Sequence, residues 1–375
     1  MIELLVLQPT SFCNLDCSYC YVPDRANTGR MTRATLVRLV ALLQAEPEYL
    51  GDELEVLWHA GEPLAAGLGF YEEASLLLGA LATQTRVVQT FQTNGTMIDE
   101  AWCAFFQRVG AHVGISLDGP REIHDATRKT RRGSGSFAAT MRGVERMQRA
   151  GLEVSALSVV TSSSLSRAQE ILEFFLDAGI TAVGFNVEEV EGENSRSSLL
   201  AEETSVEVRF RDFMREMIIG NLARGAALSI REVQSSVRSL ADRRRSPSEA
   251  PRPAETEVGR ILTIGRDGEV FSFSPELASG LPGKPEAFSI GNIHAAASLS
   301  EILNGSRAKV LQSEISAGLS RCAESCSYFG ICGGGSPANK IYENGSFAST
   351  ATIKCRLQVC VMADLLLDLA ASRSS

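Results

Sequence analysis

The sequence predicts an α/β protein with a barrel-like parallel sheet and a smaller C-terminal module, and three observations carry that prediction. Apolar strand-like segments alternate with amphipathic helical segments six times before residue 222, the pattern of parallel strands joined by crossover helices. Clusters of chemically distinctive residues follow these strands directly, at the end where parallel barrels gather their functional groups. A stretch rich in charge, proline and serine, ADRRRSPSEAPRPAETE, then separates this part from a cysteine-rich remainder. The expected divisions are 1–235 for the barrel, 236–256 for a linker or flexible loop, and 257–375 for the C-terminal module.

With 375 residues and 44% apolar content, the chain can bury a large core. Its net charge of -9 offers no basic field to nucleic acid or anionic lipid, so neither is expected as a partner. No stretch approaches the roughly 20 apolar residues of a membrane helix. The opening MIELLVLQPT has no basic residues ahead of its short apolar run, and a cytoplasmic protein is expected. Nine cysteines stay reduced there, so their clustering argues for metal rather than disulfides.

The first strand is expected over residues 4–8, and the loop SFCNLDCSYCY follows it. Cys13, Cys17 and Cys20 form a C-x3-C-x2-C run. Zinc wants four closed ligands, whereas an iron–sulfur cube held by three cysteines keeps one iron open. S-adenosylmethionine (SAM) chelating that iron can receive an electron and break into a carbon radical. A zinc knuckle with a distant fourth ligand, or a pair of buried thiols, is the plainer alternative.

Thr32 can cap a helix reaching about residue 44, with Leu36, Leu39, Val40 and Leu43 on one face. Further strands are expected at 54–59, 87–93, 113–117, 154–161 and 182–187, with helices at 71–81, 100–108, 137–149, 168–178 and 203–222. His59 to Pro63 (HAGEP), Gln92 to Thr96 (QTNGT), Ser116 to Pro120 (SLDGP), and Glu188 with Glu189 fall at successive strand ends. Each alone is ordinary turn chemistry; their joint placement points to a site. Cys103 sits in a predicted helix beside Phe105 and Phe106, the setting of a buried structural thiol. Arg243, Arg244 and Arg245 read as a solvated basic run.

Past that run, segments 261–264 and 270–273 flank the turn GRDG, a hairpin signal, and a helix is expected over 299–313. Cys322, Cys326, Cys332, Cys355 and Cys360 form a second cysteine field, with Gly333 to Gly335 free to turn tightly around a bulky object. Four such thiolates suit closed zinc or a fully ligated iron–sulfur cluster equally. The segment 361–371 is expected as an apolar helix that packs on the core.

With both cysteine fields in view, the chain resembles radical SAM/SPASM peptide maturases over nearly its whole length. Within that group, CNLDCSYCYVPDR, LWHAGEPL, FQTNGT, SLDGP with HDATR, and GFNVEEVEG are most similar to the cyclophane-forming maturases of glycine-rich-repeat (Grr) peptide systems. The resemblance implies a partial (β/α)6 TIM-like barrel with a C-terminal SPASM-like iron–sulfur module. It also implies a SAM-binding [4Fe-4S] cluster on Cys13, Cys17 and Cys20. Gly61, Glu62 and Pro63 would hold the SAM amino group through backbone carbonyls, Ser116 the ribose and Arg128 the carboxylate. Asn94 and Asp118 stand beside them. His59 replaces a glutamine of relatives and either contacts ribose or substrate or simply packs.

The SPASM pattern has seven cysteines for two auxiliary clusters, and this chain departs from it. The first element maps onto 262–274 and contains no cysteine; in the second, Ser336 takes the last position. Cys322, Cys326, Cys332 and Cys355 remain, which implies one auxiliary [4Fe-4S] cluster with Cys360 spare. Sulfatase-maturing relatives carry an aspartate base in the region where this chain reads Ser274-Pro275-Glu276. The base is therefore open among Glu188, Glu189 and Glu276.

The implied reaction abstracts a β-hydrogen from a ribosomal precursor peptide and forms a carbon–carbon crosslink to an aromatic side chain. Thioether formation, epimerisation or formylglycine-forming sulfatase maturation are alternatives in the same chemistry, and a non-catalytic iron–sulfur redox protein is one outside it. A flavodoxin- or ferredoxin-type electron donor is expected as partner. With no extension ahead of the first strand, the precursor is expected to dock on the barrel or the C-terminal module.

Overall fold

The computed structural model describes residues 1–201, 206–281, 284 and 286–372. In its first part the chain runs β1 (Ile2–Leu7), α1 (Arg33–Ala45), β2 (Leu50–Trp58), α2 (Leu68–Leu78), β3 (Arg86–Thr93), α3 (Glu100–Val109), β4 (His112–Ser116), α4 (Arg121–Thr127), α5 (Phe137–Arg149), β5 (Ser155–Val160), α6 (Ala168–Asp177), β6 (Ala182–Val187), α7 (Val206–Ala223), β7 (Ser229–Ile230) and α8 (Arg231–Arg245). The units through α7 are those read from the alternation, while α4, β7 and α8 were not expected. Residues 203–205, where the helix before β7 was expected to start, lie outside the described residues.

Local chemistry accounts for the boundaries. The Thr32 hydroxyl accepts from the Thr35 amide at 3.2 Å and starts α1. Asp99 does the same for α3 through Trp102 at 3.0 Å, and Gly110 ends that helix in the left-handed conformation. Cys103 is buried in α3, next to an aromatic cluster of Trp58, Tyr71, Phe91, Trp102, Phe105 and Phe106, as expected of a structural thiol.

The C-terminal part adds β8 (Ile261–Ile264), β9 (Glu269–Ser272), β10 (Gly291–Asn292), α9 (Leu299–Leu303), α10 (Ser306–Ser325), α11 (Phe329–Cys332), α12 (Pro337–Asn344), a π-helical segment (Cys355–Val361) and α13 (Met362–Ser372). All ten strands form one sheet in the order β10-β9-β8-β1-β2-β3-β4-β5-β6-β7. The run from β8 to β7 is parallel, and β9 and β10 pair antiparallel. The sheet is an open, partial barrel. β1 has β2 on one side and β8 on the other, in the register Leu4 to Ile261 and Leu7 to Ile264.

Three local expectations change. The segment 236–256, expected as linker, is helical to Arg245, because the arginine-rich end of α8 suits the exposed carbonyls of a helix C-terminus and α8 packs on α11 and α13. The helix expected over 299–313 is two helices divided at Asn304-Gly305, the second running to Ser325. The C-terminal helix begins earlier, as a π-helical turn carrying both Cys355 and Cys360. Among the described residues no helix is long and apolar enough to cross a membrane.

Candidate active site

The C-terminal ends of the strands open into a cavity of about 630 Å³, within the size range of small-molecule sites. Cys13, Cys17 and Cys20 line it, together with His59, Gly61, Asn94, Ser116 and Arg128. The cysteine loop is braced from behind: Arg25 donates to the Cys17 and Cys20 carbonyls, and Arg131 to the Cys13 carbonyl at 2.7 Å. Burial pushes the Cys13 thiol up to about 12, helped by Glu62, and the Cys17 thiol up to about 11. Thiolates at this place call for a cationic group to share.

Donors aimed at sulfur are already present. The Leu15 amide stands 3.4 Å from Cys13 Sγ, and Asn94 Nδ2 stands 3.8 Å from it. Among the described residues no three His, Cys, Asp or Glu side chains converge on a single-ion site. Three thiols lining one cavity, with two N–H donors at Cys13 Sγ, fit a group larger than a single ion.

Arg128 and Asp118 form the buried charge pair of the site, 3.0 Å apart, with side chains 8% and 1% exposed. Asp118 is fully occupied, accepting from Tyr19 at 2.5 Å, Thr127 at 3.0 Å and the Val159 amide at 3.0 Å. Its carboxyl stays below the usual range because Arg128 and His124 outweigh its burial. Arg128 is not fully occupied: its Nε is buried with no hydrogen-bond partner. A desolvated donor without an acceptor is costly, so the buried cation of Arg128, a residue that lines the cavity, suits an anionic ligand group nearby.

The remaining expected contacts divide. Gly61 lines the cavity with φ +51°, its α-carbon packed so closely on Phe12 that a Cβ would meet the Phe12 carbonyl at 2.5 Å. Glu62 turns its carboxylate into the protein, accepting from Thr93, Leu64 and Asn94. The Glu62 and Pro63 carbonyls accept from the Ala65 amide and the Tyr71 hydroxyl. Ser116 accepts from Gln92 at 3.0 Å. The Ala60 amide donates to His59 Nδ1 at 2.5 Å, and burial lowers His59 to about 4, so a neutral ring carries its proton on Nε2.

The same cavity carries a wall of carboxylates, Glu188, Glu189, Glu191 and Glu276. Glu188 accepts from Ser198 at 2.8 Å and is committed to its own loop. Glu189 meets Lys354 at 3.2 Å, and Asn339 Nδ2 donates to both Glu189 and Glu191 at 2.9 Å. Burial raises Glu191 well above the usual value, with Glu189 adding to it; Glu276, also in the wall, is pushed up to about 7 by burial and by Glu189. Phe273 has φ +50° at the end of β9, a left-handed bend that turns the following Ser274, Pro275 and Glu276 toward the cavity. Sequence reasoning missed Glu191, Lys354 and Asn339. The i, i+2 spacing of Glu189 and Glu191 on an extended segment was the available signal for the first.

In the second cysteine field Cys360, expected as spare, stands with Cys326, Cys332 and Cys355. Cys332 feels Cys355 and Cys326, and Cys360 feels Cys355, Cys326 and Cys332. Cys322 ends near Gly334, its Sγ 3.7 Å from that carbonyl.

Comparison with known proteins agrees with this geometry. Residues 7–161, from β1 through β5, match the radical SAM superfamily. The whole chain is similar to the uncharacterized protein sll1766 of Synechocystis sp., 36% identical over 371 residues, 97% of this chain and 91% of that one. The chain belongs to the radical SAM superfamily. This radical SAM protein is also 34% identical over 167 residues to a serine-type anaerobic sulfatase-maturating enzyme of Bacteroides thetaiotaomicron, a match spanning 44% of this chain but only 40% of that enzyme. Its fold is that of anSMEcpe with bound AdoMet, with a TM-score of 0.77 at 21% identity over 100% of this chain and 98% of that one. Streptococcus suis SuiB bound to S-adenosylmethionine shares it at 0.64 and 15% identity, over 95% of this chain and 77% of SuiB.

Proposed function

We propose that this radical SAM protein is a peptide maturase that cleaves SAM reductively and joins a β-carbon of a precursor peptide to an aromatic side chain. The observation that supports it most is that Cys13, Cys17 and Cys20 line one cavity with Gly61, Ser116 and Arg128, whose buried Nε has no hydrogen-bond partner. Cys13, Cys17 and Cys20 would hold a [4Fe-4S] cluster, and the C-terminal cysteines one auxiliary [4Fe-4S] cluster. When bound, these groups supply the electron that splits SAM into methionine and a 5′-deoxyadenosyl radical, and accept the electron released at ring closure.

The chain's own residues do the rest. Arg128 would orient the SAM carboxylate, the carbonyl of Gly61 its amino group, and Ser116 with His59 Nε2–H its ribose or the substrate. Glu276 would take the proton lost at ring closure. The peptide thus gives up one hydrogen atom to the radical, one proton to Glu276 and one electron to the auxiliary group. The cyclophane product rests on the motifs FQTNGT, SLDGP and GFNVEEVEG. Among the proteins of similar fold, SuiB binds the precursor peptide SuiA and anSMEcpe the Cp18Cys peptide.

Formylglycine formation is a second reading, supported by the sulfatase-maturating relatives and by Glu276 at the cavity wall. Anaerobic incubation with SAM and dithionite should give 5′-deoxyadenosine, and its absence would sink the enzyme reading. Co-expression with a neighbouring small precursor gene should yield a peptide lighter by one hydrogen molecule, with fragment ions missing across the crosslinked segment. Conversion of a sulfatase peptide instead would select the second reading.

A further inference from the structure

We infer that Lys340 tunes the auxiliary cluster through an N–H···S hydrogen bond to Cys322, one of its expected ligands. The inference rests on the auxiliary-cluster reading above. Lys340, on α12, is 2% exposed. Among the described residues its ammonium has one hydrogen-bond acceptor, Cys322 Sγ at 3.4 Å. A lysine withdrawn from water needs an anionic partner, and a neutral thiol is only a weak acceptor. A sulfur that carries ligand charge answers that need.

The surroundings are shaped for this contact. Cys322 lies on α10 one turn beyond Gly318, and a Cβ on Gly318 would stand 3.3 Å from Lys340 Nζ and 2.2 Å from the Phe347 carbonyl. The bare position lets the ammonium reach across. The Cys326 amide donates to the Cys322 carbonyl at 2.9 Å, which ties the next cysteine to the same helix end. The glycine run after Cys332 folds back so that the Gly334 carbonyl meets Cys322 Sγ.

A donor to a ligating sulfur withdraws charge and raises the reduction potential, which favours a group that must accept an electron. The preceding residue completes the connection, since Asn339 is fully buried and bonds the cavity carboxylates Glu189 and Glu191. One helix therefore touches the wall where the peptide would lose its electron and the sulfur of the group that would receive it. Cys360 is the competing fourth ligand, because the π-helical turn sets it beside Cys355.

The test uses anaerobically reconstituted full-length protein, iron analysis and redox titration followed by electron paramagnetic resonance. Wild type should hold about eight irons, and Cys322→Ser about four, by four-iron counting. Cys360→Ser should keep about eight by the same counting. Lys340→Met should keep its iron and titrate its auxiliary cluster at a lower potential. Lys340→Gln, which keeps a donor without the charge, should fall between. An unchanged potential in Lys340→Met, loss of its iron, or Cys360→Ser losing the cluster while Cys322→Ser keeps it would overturn the inference. Wild type with about four irons, or with zinc in the C-terminal module, would instead overturn the auxiliary-cluster reading itself.

Discussion

Arg128 shows how one side chain serves stability and binding together. Its NH2 neutralises a buried aspartate while its buried Nε has no hydrogen-bond partner. Arg128→Ala should therefore cost about 3–5 kcal/mol of stability by stranding Asp118, read by chemical denaturation. Arg128→Lys keeps a charge but not the fork, and should lower SAM affinity roughly ten- to a hundredfold in calorimetric titration; unchanged affinity would refute the carboxylate role. Glu276 offers a pH signature. Its carboxyl holds a proton to about pH 7, above the ordinary 4.5, from burial first and Glu189 next, with Glu255 adding to this and Lys354 opposing it. Because the folded pKa is the higher one, stability from this group is greatest below pH 4.5 and is lost as pH rises through 7. As a base it works only when deprotonated, so product formation should rise through that same range. Glu276→Gln should abolish crosslinking, leave deoxyadenosine formation intact and remove roughly 3 kcal/mol of that pH-dependent loss. At this scale the sequence was legible for residue types and not for directions. Asp118 and Glu62 were legible as strand-end acids, but only the folded chain shows them turned to Arg128 and to the Thr93-Asn94 turn.

Elements were legible wherever a single periodicity ruled. The helix α5 has the bounds its apolar spacing predicts, and β6 likewise. The π-helical turn at Cys355 and the left-handed Phe273 were not, because both depend on what packs around them rather than on local preference. The glycines of the CGGG run were read as freedom to turn, and Gly333 shows why it is needed. It has φ +68°, and a Cβ there would meet the Pro251 carbonyl at 2.1 Å. The supposed linker is thus clamped onto the cysteine module. Gly333→Ala should cost of order 1–3 kcal/mol from backbone strain alone, and more from the clash. The measurable sign is a lower melting temperature with loss of C-terminal iron while the N-terminal cluster persists; full retention of both would show that the strap is loose.

For the molecule as a whole, composition and alternation predicted the layered α/β plan, yet not that the strands of the barrel part and of the C-terminal part would share one sheet. A parallel pairing between β1 and β8 leaves no turn signature, since nothing short connects them. A chain ended after Arg245 should lose that partner and present the apolar β1 as an unpaired edge, a template for aggregation. Light scattering on the truncated protein should show assemblies; a monodisperse monomer would mean that β1 is covered some other way. The same pairing has a consequence in time. Glu3 and Arg260 meet across 257 positions of sequence, and closures that long are slow. β1 must wait for β8 before it gains its second neighbour, so the cysteine loop that follows β1 receives that support long after it has itself been made. Iron loaded earlier would enter a half-built nest, and cluster insertion should therefore trail translation rather than accompany it.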